Sequence, residues 1–168
     1  MDTLALAASV AAGCVGGVFL AFVCIVMPAL NRLPAPASIA AMQAINVAAV
    51  RPLFMIVLFG TAALCVLLVV LGFGDWSSQR GPLLVLGGGV YLIGAIGVTI
   101  VGNVPLNNRL AAVTPVATPV TTPGARSDTT SADATEQWSR FVTPWARLNS
   151  VRTAASIAAA VLLALAAG

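Results

Sequence analysis

Long apolar runs interrupted by short polar clusters set the rhythm of this chain. Residues 4–27, 52–73 and 82–102 carry no charge. Each is longer than the roughly 20 residues that a helix rising 1.5 Å per residue needs to cross an apolar layer about 30 Å thick. A fourth uncharged run, 153–168, is too short by itself. Thr143-Pro144 supplies a helix start ahead of it, an N-cap hydroxyl followed by proline at the first helical position. The pattern therefore predicts a fourth span over 144–167, with Arg147, Asn149 and Arg152 in its first turns. The expected fold is all-α: an integral membrane four-helix bundle, with residues 1–168 forming one transmembrane domain.

The connections are unequal. Between spans one and two, Leu33-Pro34-Ala35-Pro36 is followed by a helix-compatible stretch over 38–50, which predicts a short amphipathic helix. On it Gln43 and Asn46 lie three apart and share a face, while Ile39, Met42 and Ala49 lie elsewhere. Residues 111–135 differ in kind: Thr recurs at 114, 118, 121, 122, 129, 130 and 135, Pro at 115, 119 and 123, and large apolar groups are few. Such a stretch buries too little surface to offset its ordering entropy and reads as a mobile Thr/Pro-rich insert. The opening Met1-Asp2-Thr3 has no basic region ahead of its long apolar run, so a cleavable signal is not expected.

Composition sharpens the class. The chain has 168 residues, 60% apolar and 8% charged, where soluble domains carry about 25% charge. A soluble globule of this size stays surface-rich and could not hide so much apolar area. The net charge of +3 comes from scattered Arg and is too sparse for a nucleic-acid surface. Histidine is absent, which removes imidazole catalysis and histidine-held metal or haem; no metal and no cofactor are expected. An even number of spans puts both termini on one side with the connection that carries Asp75 and Arg80. The other two connections carry Arg32, Arg51, Arg109, Arg126, Arg140, Arg147 and Arg152. That imbalance places them in the cytoplasm of a multi-pass plasma (inner) membrane protein, with both termini outside.

Three polar clusters then fall on one membrane side: Gln43, Asn46 and Arg51; Asn103, Asn107, Asn108 and Arg109; and the stretch from Trp138 through Trp145 to Asn149 and Arg152. In the last span Trp145, Asn149, Arg152 and Ser156 follow i, i+4, i+7, i+11 and form one stripe. Arg and Asn on a transmembrane face are expensive unless they face the bundle interior or reach the interface. Two readings stay open: Arg152 snorkels to the interface while Asn149 bridges helices, or the stripe walls a polar pocket. Asn103, next to Pro105, equally fits a cap for carbonyls that the proline leaves free. Cys14, Cys24 and Cys65 lie within spans and read as packing residues. Cys14 and Cys24 are about 15 Å apart along a helix, too far for a disulfide. Gly13 and Gly17 form a small-xxx-small pair suited to close helix approach.

At Phe22 through Pro28-Ala29-Leu30, at Asn103-Val104-Pro105-Leu106-Asn107-Asn108, and from Trp138 and Phe141 through Trp145 to Asn149-Ser150-Val151-Arg152, the chain resembles the anthrone-oxygenase-like family. These are small four-span membrane proteins long catalogued as a domain of unknown function. The similarity covers most of the chain apart from the Thr/Pro insert. The resemblance implies a helical bundle and, in some fungal members, oxidation of a polyketide anthrone to an anthraquinone by O₂ without a bound cofactor.

Such chemistry needs a proton taken from an acidic carbon and an enolate held while it reduces O₂. Arg152, Arg51 or Arg109 and the Asn amides fit the second need; for the first, either Glu136, the only acid near the clusters, serves as base or the substrate is acidic enough to lose its proton to water. The catalytic candidates are thus Arg152, Asn149 and Glu136. The substrate-binding candidates are Gln43, Asn46, Arg51, Asn103, Asn107, Arg109, Trp145, Asn149 and Arg152, around a flat, hydrophobic, oxygen-bearing molecule. The competing expectation is a non-catalytic membrane subunit whose Gly/Ala faces pack against partner helices or a second copy of the chain in a homo-oligomer. A small transporter is the third, and the sequence offers it neither an inverted repeat nor a deep ionisable pair. The lipid bilayer is a partner in every reading.

Overall fold

A computed structural model describes residues 1–114 and 131–168 and is all-helical over them. Helix α1 runs Asp2–Leu30, α2 Ala35–Ala49, α3 Pro52–Gly74, α4 Arg80–Ala111 and α5 Ser131–Ala167. Of these α1, α3, α4 and α5 are long and apolar enough to cross a membrane. The four close a ring: α1 packs on α3, α3 on α4, α4 on α5, and α5 returns to α1. Sequence neighbours are thus spatial neighbours, as short connections favour. Asp2 pairs with Arg80 at 2.5 Å, holding the start of α1 against the second connection. The ring's outer surface is apolar, with Leu53 79%, Ile93 76% and Val101 78% exposed, which suits lipid and not water.

Lipid removes the hydrophobic drive between helices, so cohesion comes from close packing and from polar links. On α1 the inward stripe is Ala5, Ala8, Ser9, Ala12, Val15, Gly16 and Phe19. A side chain at Gly16 would come within 3.2 Å of Ser156 and Ile157, which shows how closely α1 and α5 approach. The pair expected from sequence, Gly13 and Gly17, is only half engaged: Gly13 faces Ala160, and Gly17 has open space around it. Ser9 Oγ donates to the Ala160 carbonyl at 2.7 Å, and Tyr91 Oη to the Leu58 carbonyl at 3.0 Å. Such interhelical bonds contribute about 0.6 kcal/mol each. Cys65 is buried in the core, whereas Cys14 and Cys24 are exposed and face outward. Only one of the three cysteines is therefore a packing residue.

Proline shapes two of the spans. Pro28 and Pro105 each lack the N–H that would bond the carbonyl four residues back. Directly before them the helices widen into π-helical turns, Phe22–Val26 in α1 and Thr99–Asn103 in α4. Widened turns of this kind accommodate a disturbed i→i−4 ladder. A further π-helical stretch, Tyr91–Gly97, lies where Gly94 lets Ala155 of α5 come close. The third span therefore continues through Pro105 to Ala111, well past the residue-102 end expected from sequence, and Asn103 lies within the helix and not at its cap.

The start of α5 is the larger correction. It begins at Ser131, not at Pro144, and Thr143 and Pro144 lie inside it. The reason is a seam that the local proline signal does not see: Ala134, Trp138, Phe141, Trp145, Asn149, Arg152, Ser156, Ala159, Leu163 and Ala166 are all buried. Their spacing of threes and fours passes Pro144 without a break. The helix accordingly takes in 131–135, assigned from sequence to the insert. Of the rest of the insert, 115–130 lies outside the described residues. Two apolar clusters result, one in the bundle around Phe19, Leu68, Tyr91 and Leu163, the other around Ile39, Met42, Trp138 and Trp145, where α2 joins the bundle. A polar layer of Asn103, Asn149, Arg152, Thr153 and Ser156 contains most of the remaining buried side chains.

Candidate functional site

Arg152 is the centre of that layer. It is 7% exposed, and among the described residues no carboxylate lies within ion-pair distance of it. One terminal nitrogen donates to Asn149 Oδ1 at 2.7 Å, the other to Thr99 Oγ1 at 3.2 Å. The guanidinium carbon stands 4.2 Å from the Phe19 ring centroid and 5.5 Å from that of Trp145. A buried cation is thus held by neutral acceptors and by ring faces. Two hydrogen bonds leave most of its five N–H donors without a partner among the described residues.

The supporting contacts fix its position. Asn149, fully buried, donates from Nδ2 to the Phe19 carbonyl at 2.9 Å, next to the widened turn of α1. Thr153 Oγ1 donates back to the Asn149 carbonyl at 2.9 Å. Asn103 Nδ2 reaches the Trp145 carbonyl at 3.4 Å. Trp145 Nε1 donates to Asn107 Oδ1 at 2.8 Å, and its ring leans on Phe22 at 5.4 Å. Farther along, Trp138 Nε1 donates to Asn31 Oδ1 at 3.0 Å. In both tryptophans a buried apolar ring is combined with a paired N–H at its polar tip.

Beside Arg152 a cleft of about 330 Å³ opens between α1, α2, α3, α4 and α5. Its walls are mostly apolar and aromatic: Val18, Phe19, Phe22, Phe54 and Trp145, with Asn46, Asn107 and Arg152 as the polar members. Through Val18, Ala48 and Phe54 it continues into an apolar furrow of about 390 Å³ on the lipid-facing side. Through Asn46 and Asn107 it continues into a more polar groove of about 450 Å³ that also borders Gln43 and Asn108.

The sequence-derived candidates divide accordingly. Arg152, Trp145, Asn46 and Asn107 line the cleft, and Asn149 and Asn103 lie behind it. Gln43 acts elsewhere: its Nε2 donates to the carbonyls of Leu110 and Val113 at 2.7 and 2.8 Å, tying α2 to the end of α4. Arg51 is exposed and borders the lipid-side furrow. Arg109 is exposed and borders a separate groove with Gln137 and Arg140. Glu136 is exposed and paired with Arg140 at 2.5 Å, about 24 Å along α5 from Arg152 at 1.5 Å per residue. Arg51, Arg109 and Glu136 are therefore not brought to the cleft.

Sequence reasoning missed Thr99 and the ring walls Phe19, Phe22 and Phe54. Thr99 carried a usable signal, a polar residue one turn before Asn103 in an otherwise apolar span. Phe22 opens one of the stretches that carry the family resemblance, while Phe19 and Phe54 carried no signal, since any apolar span contains such residues. Among the described residues no three His, Cys, Asp or Glu side chains come together.

A family model described as anthrone oxygenase matches residues 53–162, which takes in most of α3, all of α4 and most of α5. The α1 and α2 walls of the cleft lie outside the matched stretch. Comparisons with curated proteins and with solved structures found no match.

Proposed function

Because this chain belongs to the anthrone oxygenase family, we propose that the cleft beside Arg152 binds a flat hydrophobic ketone of the anthrone type and promotes its oxidation by O₂ without a bound cofactor. The observation that carries the reading is the buried Arg152: a cation without a carboxylate partner among the described residues, beside an aromatic-walled cavity. A charge in that setting is costly unless it does work, and its fit is to an oxygen on which negative charge develops.

In this reading the ring methylene loses a proton and the resulting enolate oxygen is held by the Arg152 guanidinium. The enolate passes one electron to O₂; the radical and superoxide join as a C–O bond, and the peroxide takes up the released proton. Loss of the second C–H proton with cleavage of the O–O bond gives the second ketone and water. Anthrone plus O₂ thus yields anthraquinone plus H₂O, with all atoms accounted for. With Glu136 remote, the proton leaves through the groove bordered by Gln43, Asn107 and Asn108 to water at the boundary, and the acidity of the bound substrate replaces a side-chain base. The apolar furrow past Phe54 suits a substrate that arrives from the lipid.

The test is oxygen uptake together with anthraquinone absorbance, using protein in lipid nanodiscs supplied with anthrone. Arg152→Leu is expected to lower kcat by about 10²–10³, as removal of an oxyanion donor does, and Arg152→Lys to retain part of the rate. Wild-type protein no faster than empty nanodiscs would overturn the proposal and leave the non-catalytic subunit as the better description.

A further inference from the structure

The groove bordered by Arg109 takes no part in the proposed reaction. It has a volume of about 210 Å³ and opens between the end of α4 and the first turns of α5. Leu106, Leu110, Val113 and Phe141 form its apolar walls, and Arg109, Gln137 and Arg140 supply N–H donors. Among the described residues, two cations and no carboxylate line it, and Arg109 has no ion-pair partner. Arg140 gives one terminal nitrogen to Glu136 at 2.5 Å, but both side chains of that pair are more than half exposed. Such a pair is screened by water and contributes little, so it can exchange for a better acceptor.

The walls are held in place. The Gln43 amide binds the carbonyls of Leu110 and Val113, which fixes the end of α4. Phe141 is buried against Trp138, with ring centroids 5.6 Å apart. The depth matches a lipid headgroup. The uncharged run of α4, residues 82–102, rises about 30 Å and so fits the apolar layer. Arg109 follows seven residues later, about 10 Å farther along the axis. Headgroups extend roughly 5–8 Å beyond the apolar core on each side, within reach of a long arginine side chain. Leu106 precedes Arg109 on α4, and Phe141 follows Gln137 and Arg140 on α5. This apolar pair therefore lies toward the core and the donors toward water, which is the polarity of a phospholipid.

We propose that this groove binds the headgroup phosphate of an anionic phospholipid. Arg109 and Arg140, one from each helix, donate to the phosphate oxygens, which the guanidinium fork fits. Leu106 and Phe141 lie against the first part of an acyl chain. Basic pockets between spans are where anionic headgroups collect. The volume of about 210 Å³ is below that of drug-sized sites and suits a headgroup whose chains run outside along the helices. The proposal is independent of the reading of the cleft beside Arg152.

The experiment titrates the full chain in neutral detergent with phosphatidylglycerol or phosphatidylcholine of identical acyl chains and counts bound lipid by native mass spectrometry. Wild-type protein should bind one phosphatidylglycerol about tenfold more tightly than phosphatidylcholine. Arg109→Gln should weaken that binding about fivefold, the effect of one cation beside an anionic lipid. Glu136→Gln frees Arg140 and should strengthen it about twofold, a gain that misfolding cannot produce. Arg147→Gln removes another exposed charge of α5, outside the groove, and should leave it unchanged. Equal binding of the two lipids by wild-type protein would overturn the site. So would a loss in Arg147→Gln as large as in Arg109→Gln, which would show diffuse attraction. Displacement of the lipid by inorganic phosphate, with chloride at the same ionic strength without effect, would overturn the lipid as ligand and assign the groove to a soluble phosphate.

Discussion

Arg152 and Asn149 form one unit. Asn149 accepts from the guanidinium and donates to the Phe19 carbonyl, so removing either side chain strands groups on α1 or α5. Asn149→Ala is expected to lower stability in detergent by about 1–3 kcal/mol, the cost of unpaired buried groups. Combined with Arg152→Leu it should be non-additive by about 0.5–3 kcal/mol. Thermal or denaturant unfolding of the two single variants and the double variant measures the coupling. Additive losses would mean that the two side chains act independently. Arg152 is 7% exposed and held inside the bundle, and Asn149 bridges α1 and α5. Spacing showed that these residues share a stripe. It did not show which way the stripe faces, because a periodicity has no direction until a neighbouring helix supplies one.

At the scale of the element, proline is the informative residue. Thr143-Pro144 reads locally as a helix start, yet α5 runs through it because its buried seam continues on both sides. Tertiary packing outweighs a local signal of about 3 kcal/mol or less. Thr143→Ala is therefore expected to be neutral or slightly stabilising, by a few tenths of a kcal/mol from helix propensity; as an N-cap it would cost about 1 kcal/mol. Pro144→Ala, which restores an N–H for the Arg140 carbonyl, should raise stability by about 1 kcal/mol or more. Melting temperatures of both variants in one detergent check this, and a clear loss in Thr143→Ala would contradict the continuous helix.

At the scale of the molecule, the four spans and their ring order put the connection after α1 and the one after α4 at one end. We expect that end to face the cytoplasm. Arg152 is withdrawn from the positive-charge balance, since it is buried in the bundle. Arg32, Arg51, Arg109, Arg126, Arg140 and Arg147 still stand against Arg80, and an excess of this size orients short-looped proteins. In a chain with its own cysteines replaced, Gln79→Cys should react with a membrane-impermeant maleimide on intact cells, and Asn108→Cys should react only after permeabilisation. The reverse pattern would invert the topology.

The sequence by itself determined the class, the number of spans, the short helix between the first two and the stripe that contains Arg152. Each of these follows from apolar length or from a 3.6-residue period, which are properties of one segment and its solvent. The cleft, its aromatic walls and the absence of Arg51, Arg109 and Glu136 from it were decided only when four helices closed into a ring. So was the passage of α4 and α5 through their prolines. Which face meets which neighbour, and whether a helix continues past a weak point, depend on contacts between segments far apart in the chain, and no single segment encodes them.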